Sequence, residues 1–123
     1  MNLTKINQIQ NAFLIYVNIK SFDHRNKLEN SFDEFKSLIL SSGLTIKEQR
    51  NISQNTPVIN TFLSKGKLED FKQSISQDEI DIVVINHELS ASQTRNLEKY
   101  LNKRVIDKTE LILDIFASRA SSH

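Results

Sequence analysis

Apolar residues fall along this chain in two rhythms. Ala12-Phe13-Leu14-Ile15-Tyr16-Val17 is a continuous run rich in aromatic and β-branched side chains, and Asp81-Ile82-Val83-Val84-Ile85-Asn86 holds another. Runs without alternation predict strands covered on both faces, the condition of a parallel sheet between helices. Leu44 to Ile52, Thr61 to Leu63 and Arg104-Val105-Ile106 are shorter strand candidates. Between them the rhythm becomes helical. Ser31-Phe32-Asp33-Glu34 reads as a capping box, followed by Phe32, Phe35 and Ile39 as a stripe and Gly43 as a left-handed stop. Leu68, Phe71 and Ile75 form a second stripe opened by Gly66 and Lys67. Ser90-Ala91-Ser92-Gln93 is another capping box, leading into Leu97, Tyr100 and Leu101, and Asp107-Lys108-Thr109-Glu110 starts the last helix.

Strand–helix alternation of this kind implies right-handed crossovers and a parallel sheet. The expected architecture is α/β: a single three-layer domain over residues 12–120, with a mostly parallel four- or five-stranded sheet and helices on both faces. Residues 1–11 read as a polar tail, and Ser21 to Asn30 and Ser53 to Asn60 as loops. The last helix is apolar over more than one face. Leu111, Ile112, Ile115 and Phe116 fall within about 140° of a helical wheel, enough to dock on a sheet. Leu113, Ala117 and Ala120 extend the arc beyond that, past the polar edge of Asp114 and Ser118. Two readings are open: deep burial within the domain, or an outer face covered by another domain or chain.

Composition narrows the chemistry. At 123 residues the chain suits one domain. It has no cysteine, which excludes disulfides, thiolate metal sites and cysteine nucleophiles. A net charge of +1 excludes a uniformly basic nucleic-acid coat and leaves room for a local basic patch. Ala12 to Val17 is too short to span a bilayer, and the polar Met1 to Gln10 lacks a signal peptide's apolar core. A cytoplasmic chain with no membrane partner is expected.

Nucleotide-hydrolysis motifs are absent. A phosphate loop needs two glycines at fixed close spacing before a helix, and Gly43 and Gly66 are the only two glycines. His24, His87 and His123 are scattered, so neither a metal triad nor a Ser-His-Asp relay is expected. His87 follows a strand at the end where open sheets bind ligands, but it reads best as a solvated loop residue. Asp107 reads as an N-cap and Asp114 as a polar edge, so no catalytic residue is assigned. Lys65-Gly66-Lys67 lies at the start of a helix, where backbone N–H groups and the dipole attract anions. It is either a phosphate-binding loop or an ordinary solvated helix start. Five basic residues (Arg95, Lys99, Lys103, Arg104, Lys108) against two acidic ones (Glu98, Asp107) make Ser90 to Lys108 locally positive. Arg95 and Lys99 share a helix face, which suits phosphates or plain solvation.

Three stretches resemble the N-terminal domain of the HflX family of ribosome-associated GTPases. Ser64-Lys65-Gly66-Lys67-Leu68-Glu69 is similar to the family's G-K-G-K-L-E. Glu88-Leu89-Ser90-Ala91-Ser92-Gln93-Thr94-Arg95-Asn96-Leu97-Glu98 is similar to E-L-S-P-S-Q-x-R-N-L-E. Val105 to Ala120 resembles V-I-D-R-T-x-L-I-L-D-I-F-A-x-R-A. Three positions depart: Ser64 for glycine, Ala91 for proline and Lys108 for arginine.

The resemblance implies a binding domain that associates with the large ribosomal subunit and its rRNA, in a protein that splits or rescues stalled ribosomes. Lys65, Gly66, Lys67, Arg95, Lys99 and Lys108 would meet phosphate or RNA. Leu113, Ala117, Arg119 and Ala120 would dock the protein's own GTPase domain, with residues 121–123 leading into the family's helical segment. GTP and Mg²⁺ would belong to that absent domain, and this chain would carry no cofactor. Two alternatives are a small stand-alone nucleotide-phosphate-binding domain and a docking scaffold. An uncovered last helix would also favour self-association of the isolated chain.

Overall fold

The computed structural model describes residues 9–22 and 31–120, with side chains at the end of the last helix described as far as Ser118. Residues 1–8 of the tail, most of the Ser21–Asn30 loop with His24, and 121–123 with His123 lie outside the described residues. Strands β1 (Asn11–Ile19), β2 (Thr45–Gln54), β3 (Ile82–Ile85) and β4 (Arg104–Ile106) alternate with helices. The helices are α1 (Phe32–Ser41), α2 (Lys65–Gln77), α3 (Ala91–Leu101) and α4 (Lys108–Ala120). All neighbouring strands are parallel, in the order β2-β1-β3-β4. The α/β, three-layer expectation holds, with four strands among the described residues.

The unbroken apolar runs are explained by how β1 and β3 divide their side chains. Phe13, Ile15, Val17 and Ile19 face one layer with Val83 and Ile85, where Leu68, Phe71 and Ile75 of α2 and Leu97 and Leu101 of α3 close over them. Ala12, Leu14, Ile82 and Val84 face the other, beneath Phe35 and Ile39 of α1 and Leu111 and Ile115 of α4. A strand with a helix layer on each side has no polar face to show. At the sheet edge β2 alternates half-buried and exposed positions, consistent with its polar sequence.

Thr61 to Leu63, expected as a strand, is not one. Its backbone folds back on itself, pairing Phe62 only with Val58 in an isolated antiparallel bridge. Ser53 and Gln54, expected in a loop, instead extend β2.

The capping signals are realised unequally. Ser90 and Gln93 form the full reciprocal box at α3. Ser31 Oγ accepts from the Glu34 N–H at 3.1 Å, while Glu34 Oε2 lies 3.3 Å from the Lys108 ammonium. Asp107 caps α4 through Oδ1 to the Glu110 N–H at 2.8 Å, and its Oδ2 accepts from the Leu89 N–H at 2.9 Å. Gly43 has a φ of +87°, the left-handed stop expected after α1.

The expected docking arc of α4 is narrower than the sequence suggested. Leu111 and Ile115 are buried, Ile112 is marginal, and Phe116 is 63% exposed. The seam against α1 and the sheet is a single i, i+4 ridge, so Phe116 turns to the outer face beside Leu113, which is 61% exposed. Truncating Leu111 to Ala is therefore expected to lower the unfolding free energy by about 2–5 kcal/mol. Leu113→Ala should change it by no more than about 0.5 kcal/mol. Urea unfolding of the two variants beside the parent chain measures both.

Candidate functional site

Because the strands are parallel, every helix of the domain starts at the carboxyl edge of the sheet. In the order β2-β1-β3-β4 the chain switches direction between β1 and β3, the place where open α/β sheets ordinarily form a ligand crevice. Here side chains close that crevice. β1 runs on past Ile15, the residue paired with the last position of β3, and so leaves Val17 without a strand partner on that side. Asn86 supplies one. Its Oδ1 accepts from the Val17 N–H at 2.8 Å, and its Nδ2 lies 3.4 Å from the Val17 carbonyl. Among the described residues it is the buried polar residue of the core, only 5% exposed.

His87 completes the closure, which overturns its reading as a solvated loop residue. Its Nε2 meets the Val17 carbonyl, so in the neutral ring this nitrogen carries the proton. Its ring packs between Phe62, 5.1 Å away, and Phe22, 5.5 Å away. The physical reason is the splay of β1 from β3, which needs polar partners and apolar cover at the same point. Burial holds the imidazole below its ordinary pKa; the Val17 hydrogen bond opposes this and the charge of Lys108 adds to it.

The basic residues separate into two groups. Lys65, Gly66 and Lys67 are exposed in the first turn of α2, which contains no acidic residue. Arg95 and Lys99 are exposed on α3 in the same helix layer, where Lys72 of α2 lies 4.5 Å over the Tyr100 ring of α3. Lys108 does not join them. It starts α4 on the opposite face of the sheet, with its side chain only 20% exposed and paired with Glu34. Its expected phosphate role is corrected on that ground: burial and a carboxylate partner already engage the charge.

The first turn of α2 has features of its own. Ser64, in place of the family's glycine, makes no side-chain cap; its N–H instead donates to Gln54 Oε1 at 2.8 Å. A Cβ built on Gly66 meets nothing within 4 Å, so the domain's own packing does not require glycine there. Beside this turn lies an open depression of about 450 Å³, lined by Lys20, Ser53, Gln54, Asn55, Thr56, Val58 and Ser64. Among the described residues no group of His, Asp and Glu is placed to hold a metal ion. Together with the missing phosphate loop, this donor set does not fit the GTP and Mg²⁺ of a GTPase centre. No described helix is long and apolar enough to cross a membrane.

Of the expected docking residues, Leu113 and Ala117 are exposed on α4, while the side chains of Arg119 and Ala120 lie outside the described residues. Sequence reasoning missed Asn86, Gln54 and Asn96, whose amides bind backbone from neighbouring segments. Only the position of Asn86, closing an otherwise apolar strand, was a visible signal.

The fold and its filled crevice define a doubly wound α/β module with exposed lysines and an arginine on one helix layer. The family model for the GTP-binding GTPase N-terminal domain matches residues 29–117, and the chain belongs to that family. It is an HflX-type N-terminal domain, as the similarity to curated relatives shows. GTPase HflX of Magnetococcus marinus is 41% identical over 96 residues, covering 78% of this chain and 22% of that protein. GTPase HflX of Escherichia coli is 36% identical over 99 residues, covering 80% and 23%. The chain thus spans less than a quarter of the length of either relative. The fold is shared with a GTP-binding protein from Sulfolobus solfataricus solved with GDP, at a TM-score of 0.62 and 23% identity, over 87% of this chain and 30% of that one.

The position of His87 has a pH consequence. Its folded pKa lies below the ordinary 6.5, so the unfolded chain binds more protons between those two values. Its contribution to stability is therefore full above about pH 6.5, falls as pH drops through the window, and levels off below the folded pKa. His87→Gln keeps a donor for Val17 and should lose that part of the pH dependence. Urea midpoints of both proteins between about pH 5 and pH 8 give the comparison.

Proposed function

We propose that this chain is the non-catalytic binding module of an HflX-type GTPase and associates with the large ribosomal subunit by contacting rRNA phosphates. The observation that carries the reading is the set of exposed cations on one helix layer. Lys65 and Lys67 flank a glycine the fold does not need, and Arg95 and Lys99 follow on the adjacent helix. A backbone free of side chain at a helix start lets a phosphate approach the N–H groups closely, and the lysines neutralise it. GTP and Mg²⁺ belong to the rest of the protein, as do hydrolysis and the splitting or rescue of ribosomes. The protein works in the cytoplasm.

A second surface supports an interdomain role. Leu113 and Phe116 of α4 are exposed on the face away from the core, with Leu40 of α1, 59% exposed, in the same layer. This face suits the protein's own GTPase domain, so the module would couple ribosome contact on one layer to the GTPase on the other. An independent nucleotide-binding role is less well supported, since Asn86 and His87 fill the switch-point crevice.

Co-sedimentation with purified bacterial large ribosomal subunits tests the RNA reading. Binding should fall steeply with salt, and Lys65→Gln with Lys67→Gln should weaken it at least tenfold at low salt and flatten that dependence. Gly66→Ala should weaken binding while leaving the unfolding midpoint unchanged or raised. Unchanged affinity in the double lysine variant removes the α2 start from the account.

A further inference from the structure

The turn between β2 and α2 has a structure that the basic residues beside it do not explain. Val58 and Phe62 bond each other through both backbone groups, at 3.0 and 2.8 Å, closing a loop with Ile59, Asn60 and Thr61 at its tip. Across Phe62 the Leu63 N–H donates to the Thr61 carbonyl at 2.7 Å, with Phe62 at a φ of +68°. This is a tight turn in a region that aromatic residues rarely occupy. Amide side chains from β2 and α3 hold the loop in place. Gln54 Nε2 donates to the Phe62 carbonyl at 3.0 Å, Gln93 Nε2 to Val58 and Ile59 at 3.3 and 3.1 Å, and Asn96 Nδ2 to Asn60 at 2.9 Å. Each carbonyl from Val58 to Phe62 is therefore bonded within the domain.

What this scaffold presents outward is an aliphatic side chain. Ile59 is 88% exposed and Val58 is 38% exposed. A loop braced at every carbonyl loses little freedom on binding, so it is preorganised for contact. The surroundings identify the contact. Exposed Lys65 and Lys67 follow the loop in the chain, and exposed Arg95 adjoins the bracing Asn96. A protein interface needs a contiguous apolar core, which one isoleucine and a half-exposed valine do not make. A single apolar tip with cations on the helix that follows it and on the helix that braces it instead matches nucleic acid, where bases offer apolar faces between phosphates.

We propose that the loop closed by Val58 and Phe62 is a preorganised wedge that packs Ile59 against an unpaired base of structured RNA, while Lys65, Lys67 and Arg95 hold flanking phosphates. The proposal rests on the rRNA reading above and adds to it a contact that salt does not screen. Ile59→Ser should weaken binding to large subunits by about fivefold or more, the scale of losing the burial of one aliphatic side chain. The slope of log affinity against log salt should stay at the parent value, because no phosphate contact is lost. Ile59→Leu should restore affinity, and an unchanged melting temperature for both variants excludes misfolding.

If the parent chain binds and Ile59→Ser binds equally well, the wedge is overturned and the basic face stands. A lowered salt slope in Ile59→Ser also overturns it, since the residue would then be acting through charge. A loss on intact subunits with none on protein-free large-subunit RNA overturns it in favour of a ribosomal protein partner. A parent chain that does not bind subunits overturns both readings.

Discussion

Everything in this domain is organised by β1, the longer of the two strands that are paired along both edges and covered on both faces. Its pairing with β2 spans Asn11 to Ile19, whereas its pairing with β3 ends at Ile15. The unequal lengths leave backbone groups near Val17 facing the core with no strand beside them. Unpaired groups there would each cost about 1–3 kcal/mol, more than a marginally stable domain tolerates at several positions. Asn86 and His87 meet that demand from the end of β3, and Phe22 and Phe62 cover them. The place where related sheets accept a ligand is thereby used for cohesion. With that crevice filled, the outer surfaces of the helix layers stay open to solvent.

Those surfaces are divided by the sheet itself. One layer carries Lys65, Lys67, Arg95 and Lys99 in water, and the other carries the apolar outer face of α4. Lys108 marks the boundary between them. It sits on the apolar side and is neutralised by Glu34 across from α1, so that layer gains an interhelix tie and loses a free cation. The separation allows an anionic partner and an apolar partner to be held at once, with the four-stranded sheet as the rigid element between them. Both helix layers start at the same sheet edge, so the α2 start and the α4 start lie on the same side of the strands that separate them.

Much of this was legible along the chain, and the parts that were not have one physical origin. Unbroken runs at Ala12–Val17 and Ile82–Ile85 revealed the doubly covered strands, and Ser31, Ser90 and Asp107 marked helix starts where the caps form. These signals are local: spacing and side-chain chemistry within a few residues determine them. Thr61–Leu63 has the composition of a strand, but Gln54 holds the Phe62 carbonyl and Gln93 and Asn96, more than thirty positions away, hold the loop that leads into it. Lys108 looked like a free cation until α1 placed Glu34 beside it, and Phe116 looked buried until the seam proved to be a single ridge. His87 was misplaced for the same reason, since Val17 lies far back in the chain. Residues whose roles depend on a distant segment cannot declare them in sequence.

Gly66 shows how such long-range readings bear on function. Its neighbours in the chain suggest an anion site, but many helices begin with lysine and glycine in plain solvent. The structure adds two facts that separate the cases. Gly66 needs neither a left-handed φ nor space for a nearby group, so the fold gives no reason for a residue that disfavours helix relative to alanine. Ser64 makes no side-chain cap, and its own N–H is tied to Gln54, which holds the helix start against β2 and leaves the first-turn N–H groups without a cap from Ser64. A helix start that forgoes both its cap and its propensity is costly for a domain of this size. That cost is offset if the uncapped N–H groups and their flanking lysines are completed by a partner's phosphate.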